Sequence, residues 1–293
     1  MSDEQRDSAP ETVKAKSVRP VLIASSKTVW DYSVFLRHVL VGFAAESIPT
    51  ALICPADCAV DSLVPPSVEV IRHPAFGIPL LWRQNRRILL EQLEKFKPTI
   101  LHCMCESEAA LVRRLSRQLD LPYVLNIDSL QKRWQPVGIS STRCARIIVP
   151  AKSIAANLMK VYPAFSERIE HISIGTFVAD SSNCFSKSDR LASLVTTHPL
   201  DNVADFENLL RAVKNLAIDR YEFMLVMTGD GVAERHVRRL VADLGLAQIV
   251  TIVPRLGLRR SLLAAGDIFV RPRPSSAFDP LLLEAMSLGA AVA

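Results

Sequence analysis

No apolar run in the 293 residues reaches the length needed to cross a bilayer, which excludes a helical membrane span from the sequence reading. Residues 1–18 are polar and charged, lack the apolar core of a secretory leader, and read as a disordered tail. Cysteine is sparse: Cys54, Cys58, Cys103, Cys105, Cys144 and Cys184 show no repeated CxxC pair. That count argues against a disulfide scaffold and against a zinc site, and predicts reduced thiols in a cytoplasmic protein. Glycine is scarce as well, with 10 in the chain, and no Gly-x-Gly-x-x-Gly run occurs, so the full dinucleotide fingerprint is missing. A net charge of +5 spread along the chain does not demand a nucleic-acid partner. Short internal repeats and low-complexity blocks are absent.

What is present is alternation. From Arg19 onward, short β-rich runs alternate with amphipathic helical runs, the pattern of an α/β protein built on parallel sheets. In the first half, strands are predicted at 21–25, 50–54, 68–72, 99–103, 123–127, 146–149 and 171–174. Helices are predicted between them at 32–46, 80–96, 106–119 and 151–161. In the helix over 80–96, Trp82, Leu89, Leu93 and Phe96 share one face, with Arg83, Arg86 and Arg87 elsewhere. A basic face of this kind suits either plain solvation or peripheral contact with an anionic membrane surface. Residues 176–190 carry a linker signature, after which the rhythm restarts as a second wound domain. That domain has strands at 194–197, 223–228, 249–253 and 268–271 and helices at 203–216, 233–244 and 259–265.

Three stretches hold candidate chemistry. Gly229-Asp230-Gly231 lies between a strand and a helix, where backbone N–H groups and a helix N-terminus can approach a phosphate, although any tight turn there also uses glycine. The polar segment 128–143 follows a strand at the end where α/β proteins gather ligand contacts; it holds Asp128, Lys132 and Arg133. The run from Pro272 to Gly289 is an irregular Pro/Ser loop followed by a helix, with Asp279 as its N-cap, Pro280 as its first residue and Gly289 as its stop. Leu281, Leu282, Leu283, Ala285, Met286 and Leu288 surround that helix, which predicts burial on nearly all sides. Glu284 is therefore a buried carboxylate in need of a hydrogen-bonding partner, which can be a ligand hydroxyl, a backbone group or an arginine. Arg271 and Arg273 stand beside it in sequence, and His102 and His198 close two strands.

The order of several motifs adds to this. Met227-Thr228-Gly229-Asp230-Gly231, Leu244-Gly245-Leu246, Val250-Thr251-Ile252 and Ala265-Gly266-Asp267-Ile268-Phe269-Val270-Arg271-Pro272 are followed by Phe278-x-Pro280-Leu281-Leu282-Leu283-Glu284-Ala285-Met286-Ser287-Leu288-Gly289. Ahead of them stand Ile100-Leu101-His102, Leu121-Pro122-Tyr123-Val124, Ile147-Ile148-Val149-Pro150-Ala151-Lys152-Ser153 and Ile172-Ser173-Ile174-Gly175. In this order the chain resembles the retaining glycosyltransferases of the GT-B fold, group 1 or family 4.

The resemblance implies two Rossmann-like domains facing each other across a cleft: an N-terminal acceptor-side domain over 19–175, a linker over 176–190, and a C-terminal nucleotide-sugar domain over 191–293. Four residues follow Gly289, so the second domain is expected to be incomplete. The implied reaction moves a sugar from a nucleotide-sugar donor to an acceptor hydroxyl with retention. The donor is a substrate; no cofactor and no metal are implied. Acceptor classes are polysaccharides, lipid-linked molecules and small molecules, and the implied setting is the cytoplasm, free or on the inner membrane face. Donor-side residues are Gly229, Asp230, Gly231, Arg271, Arg273, Ser276, Phe278 and Glu284, with Glu284 matching the second glutamate of the E-x7-E motif that holds the donor ribose. His102, Asp128, Lys132 and Arg133 fall on the acceptor side, and no catalytic residue is assigned. The chain departs from the family pattern at Ser276, the place of the first motif glutamate, at Asp279, Pro199 and Ala204, and at Asp128, where the family has histidine. These departures carry the alternative: a glycosyltransferase-like binding or scaffold protein without catalysis.

Overall fold

A computed structural model of the chain describes residues 18–73, 82–134, 136–178, 190–254 and 259–293. Its strands form two sheets, both parallel in the pairings described. The seven-stranded sheet comprises β1 (Pro20–Ile23), β2 (Ala51–Pro55), β3 (Glu69–His73), β4 (Ile100–Cys103), β5 (Tyr123–Asn126), β6 (Cys144–Val149) and β7 (Ile169–His171). Its spatial order is β3-β2-β1-β4-β5-β6-β7. The five-stranded sheet comprises β8 (Ala192–Thr197), β9 (Phe223–Thr228), β10 (Val250–Val253), β11 (Ile268–Phe269) and β12 (Ala291–Val292), in the order β10-β9-β8-β11-β12. Both sheets are thus wound the same way: the chain builds outward on one side of its first strand, then crosses to the other side.

Sequence composition explains why these runs are strands. All of β1 and the first four residues of β2 are buried, as expected for strands covered on both faces of a parallel sheet. In β8, consecutive residues face opposite sides. Leu194 packs with Phe206, Leu210, Val213 and Val237 of the helices α6 (Ala204–Ile218) and α7 (Glu234–Asp243). Val195 packs with Leu263 of α8 (Arg259–Ala265) and with Leu281 and Ala285 of α9 (Pro280–Ser287).

Several sequence expectations shift. The predicted helix over 32–46 is preceded by α1 (Ser26–Asp31) and itself runs as α2 (Ser33–Ala45), with only Tyr32 between them. Thr28 and Val29 are the buried residues of α1. The last strand of the larger sheet is Ile169–His171 rather than 171–174. The turn over Pro163–Arg168 returns the chain early, so Ile169 is buried and Ile172 is half exposed. In α3 (Trp82–Phe96), Leu89, Leu93 and Phe96 are buried as one face, and the exposed Arg87 pairs with Glu91; the side chains of Trp82, Arg83 and Arg86 lie outside the described part. The remaining helices are α4 (Ala109–Leu119) and α5 (Lys152–Val161). Linker residues 179–189 lie outside the described residues. No described helix is long and apolar enough to cross a membrane.

The chain divides into two compact units. One takes Met1–Ser26, Arg37–Leu125 and Gly138–Ala145; the other takes Lys27–Leu36, Asn126–Val137 and Arg146–Ala293. The smaller sheet and the segments around Tyr32 and Asp128 therefore belong to one unit, and β1 to β4 with β5 as far as Leu125 belong to the other.

Candidate functional site

In the smaller sheet the strand order reverses at β8, which has β9 on one side and β11 on the other. The crevice beyond the carboxyl ends of such a pair is where an open α/β sheet takes its ligand. Here it is built from the chain after β8, the start of α6, and the chain between β11 and α9.

After β8 comes His198, whose Nε2 lies 3.3 Å from Asp205 Oδ2 in the first turn of α6. Arg273 Nη1 lies 3.2 Å from the other oxygen of Asp205. Burial, only partly offset by the Asp205 hydrogen bond, lowers the His198 pKa from 6.5. At neutral pH the contact is therefore a hydrogen bond of a neutral imidazole, not an ion pair. The ring also stands edge-to-face against Phe206, 5.5 Å between centroids. Arg271 donates to the Thr197 carbonyl at 3.4 Å, and its Nε sits 2.7 Å from Asp279 Oδ2, a charge contact without hydrogen-bond alignment. The Thr197 hydroxyl, buried at the same strand end, has no hydrogen-bond partner. Each arginine of the crevice thus has an acidic neighbour, and an incoming anion has to compete with it.

Gly229 and Gly231 sit in the neighbouring loop after β9. Leu200 N–H donates to Asp230 O at 3.0 Å and Ala233 N–H donates to Leu200 O at 2.8 Å, so the loops after β8 and β9 lie backbone against backbone. A Cβ on Gly229 would stand 2.0 Å from His198 O, and one on Gly231 would stand 2.3 Å from the Leu200 carbonyl carbon. The glycines are required by this approach of two chains. Asp230 itself is exposed.

On α9 the expected N-cap is present: Asp279 Oδ1 accepts from Leu281 N–H at 3.0 Å, Pro280 opens the helix, and Gly289 follows it at φ 85°. Glu284 is 4% exposed, whereas Met286 is 56% exposed, so the helix is not buried all round. The reason is its position on the outer layer: Leu281 and Ala285 meet the sheet, and Met286 turns away from it. Glu284 borders a cavity of about 20 Å³ shared with Asp31, Tyr32, Gly175, Pro280 and Leu283, room for about one water.

A second cluster in the same unit joins residues that the sequence kept apart. Tyr32 donates its phenol proton to Asp128 Oδ2 at 2.5 Å. Phe278 N–H donates to Asp128 O at 2.7 Å, Leu130 N–H donates to Ser276 O at 2.9 Å, and Ser129 bridges Ala277 antiparallel. Asp128, Ser276 and Phe278 are thereby brought together, the last two through their backbones; the Ser276 residue is exposed. Lys132 instead lies over the exposed Trp134 ring at 5.5 Å, and Arg133 is exposed. His102 is half-buried in β4, between Leu22 and Val124, in the other unit. Pro199 and Ala204 supply no cation. Tyr32, Asp205 and the Arg271–Asp279 pair were not singled out together from the sequence, since nothing in local spacing links them.

Asp267 has a different task. Its carboxylate is 1% exposed, accepts from Ser193 N–H at 2.8 Å and from the Ser193 hydroxyl at 3.2 Å, and pairs with Arg190. It ties the entry of β8 to the entry of β11. Among the described residues no group of three or more His, Cys, Asp or Glu is placed to hold a metal ion.

Comparison with known proteins bears on this geometry. Residues 192–293 match the family model described as glycosyl transferases group 1. No curated protein matches the chain by sequence. Among solved structures, the chain is similar to sucrose-phosphate synthase from Thermosynechococcus elongatus, with TM-score 0.72, 15% identity, and coverage of 94% of this chain and 80% of that one. It is also similar to Anabaena HepE in complex with UDP and glucose, with TM-score 0.68, 15% identity and the same coverages of 94% and 80%. The lipopolysaccharide outer core galactosyltransferase WaaB aligns with TM-score 0.62 at 15% identity, over 94% of this chain and 80% of that one. At such identities the structural likeness speaks for the fold, which is GT-B-like. The chain thus has a GT-B-like fold of two parallel sheets, and its residues 192–293 are similar to the group 1 glycosyl transferases.

Proposed function

We propose that the chain binds a nucleotide-sugar at the carboxyl edge of its smaller sheet and transfers the sugar, with retention, to an acceptor hydroxyl. On this reading residues 191–293 form the donor side and residues 19–175 the acceptor side, and the protein works in the cytoplasm. The observation that carries the proposal is Glu284: a carboxylate 4% exposed, on α9, the helix that follows β11, the strand next to the reversal at β8, inside the segment that matches the family model. Two vicinal ribose hydroxyls satisfy both oxygens of such a group. Arg271 and Arg273 then exchange Asp279 and Asp205 for the diphosphate, neutralising the charge that develops as the nucleoside diphosphate leaves with the electrons of the anomeric C–O bond. Anabaena HepE has been crystallised with UDP, which makes uridine nucleotides the first probes.

A second reading, donor binding without transfer, is favoured by one observation: both arginines of the crevice already face carboxylates, Asp279 at 2.7 Å and Asp205 at 3.2 Å. One experiment separates the two. Thermal unfolding is followed with UDP, GDP, ADP and their glucose conjugates, for the protein and for Glu284→Gln, and release of nucleoside diphosphate is then assayed. Ligand at 100 times its Kd adds about 2.7 kcal/mol. Stabilisation that the variant loses, with turnover, supports transfer; the same stabilisation with no turnover over any acceptor class supports the binding reading. No stabilisation by any nucleotide in a folded protein removes the donor site and both readings with it.

A further inference from the structure

The other unit carries a cationic cleft that the transfer reading does not use. Arg113, Arg114 and Arg117 on α4 and Arg143 before β6 line it together with the segment Ile139–Thr142, and its volume is about 580 Å³. Among the described residues, none that lines it is acidic. Asp120 reaches Arg143 at 2.7 Å, but its own side chain is 85% exposed and screened by water. Arg113 and Arg117 stand one helical turn apart, a like-charge pair that works against the helix unless an anion lies between them. Volume and charge together fit a small ligand with several negative oxygens, since guanidinium groups take phosphate in two parallel hydrogen bonds.

The cleft is also pre-formed. Ser140 N–H donates to the phenol oxygen of the fully buried Tyr123 at 2.8 Å, Cys144 N–H donates to Ser140 O at 3.2 Å, and Tyr123 N–H donates to Arg143 O at 2.9 Å. These bonds hold the segment before β6 against the start of β5, so its hydroxyls and Arg143 need no reordering on binding. Gly138 leaves room for a guanidinium: a Cβ there would stand 2.7 Å from Arg113 Nη1. The location separates the cleft from ordinary ligand binding in this fold. It is made by the end of α4, which leads into β5, and by the segment that leads into β6, hence at the amino ends of those strands. Open α/β sheets bind substrates at the opposite, carboxyl edge.

We propose that this arginine cleft is an accessory site for a multivalent phosphate group, presented either by a soluble phosphorylated molecule or by a phosphomonoester lipid headgroup. It is independent of the donor site. The test uses pyrophosphate titrated calorimetrically and vesicles of phosphatidylcholine with and without phosphatidic acid, against the full chain, the double variant Arg113→Glu/Arg117→Glu, and Gly138→Ala. Arg113 and Arg117 are exposed, so the double variant is expected to fold; its thermal unfolding is checked alongside. Expected is a loss of affinity of about tenfold or more in the double variant and a smaller loss in Gly138→Ala, which moves Arg113 without changing charge. Loss seen with pyrophosphate alone assigns a soluble ligand; loss seen also with phosphatidic acid vesicles assigns a headgroup. Uridine nucleotide binding, if present, should not change. Absence of binding to both probes, or binding that the double variant leaves intact, overturns the proposal.

Discussion

Replacement of Gly229 by alanine tests the packing of the loop that looks most like a phosphate cradle. The new Cβ would stand 2.0 Å from His198 O, a backbone atom, against an ordinary contact distance between 3.4 and 4 Å. Relief requires the two loops to part by more than an ångström. That movement strains the bonds from His198 N–H to Thr228 O at 3.1 Å and from Leu200 N–H to Asp230 O at 3.0 Å. Overpacking costs about 1–3 kcal/mol, and weakening two hydrogen bonds adds about 1 kcal/mol each, so a loss of about 3–5 kcal/mol is expected. For a folding unit of this size that lowers Tm by roughly 10 °C. Gly42→Ala is the matched control. Gly42 is exposed within α2, nothing lies within 4 Å of its Cβ position, and alanine there should stabilise by about 0.5–1 kcal/mol. Urea and thermal unfolding of both variants read the contrast directly. A Gly229→Ala protein within about 0.5 kcal/mol of the parent would refute the packing argument and mean that the loop stands open.

Asp267→Ala should cost about 3 kcal/mol, since it removes the acceptor of two Ser193 hydrogen bonds and a partner of Arg190; Arg190→Ala should cost less, because that arginine is partly exposed, and urea midpoints compare them. Tyr32→Phe should cost about 1–2 kcal/mol by deleting the 2.5 Å hydrogen bond to Asp128, and an unchanged unfolding midpoint would count against that contact. His198 has a folded pKa below its ordinary 6.5, so its contribution is present above pH 6.5 and is lost as pH falls through the lowered folded value. Urea unfolding at a series of pH values below 7 should therefore show a shallower loss of stability in His198→Gln than in the parent. Glu284→Gln should fold normally yet lose nucleotide-dependent stabilisation, by about tenfold or more in Kd, as read from ligand-concentration series of thermal unfolding.

The parallel sheets were legible because their signal is local. Runs such as Val21-Leu22-Ile23 and Leu194-Val195 are apolar on both faces, and helical periodicity lies between them, so α/β winding follows without knowledge of tertiary contacts. The caps of α9 were legible for the same reason, since Asp279-Pro280 and Gly289 act within a turn of their own position. Met286 was misread because periodicity counts apolar positions around a helix but does not say how many neighbours the helix has. The segment 171–174 was misread because Ile-Ser-Ile alternates like a strand, while the preceding turn had already delivered Ile169 to the sheet.

Sequence by itself determined the winding of the chain, the likeness of residues 192–293 to the group 1 glycosyl transferase model, and the residue types available at the crevice, because strand and helix patterns and capping are written within a few residues of each other. Tertiary structure decided how those residues are used. It pairs Arg271 with Asp279 and Arg273 with Asp205, sets His198 neutral through burial, and closes the Gly229–Gly231 loop against His198 and Leu200. It also gathers four arginines from two separated segments into one cleft. Charge pairing and desolvation act over ångströms of space, and no spacing along the chain encodes which groups will share them.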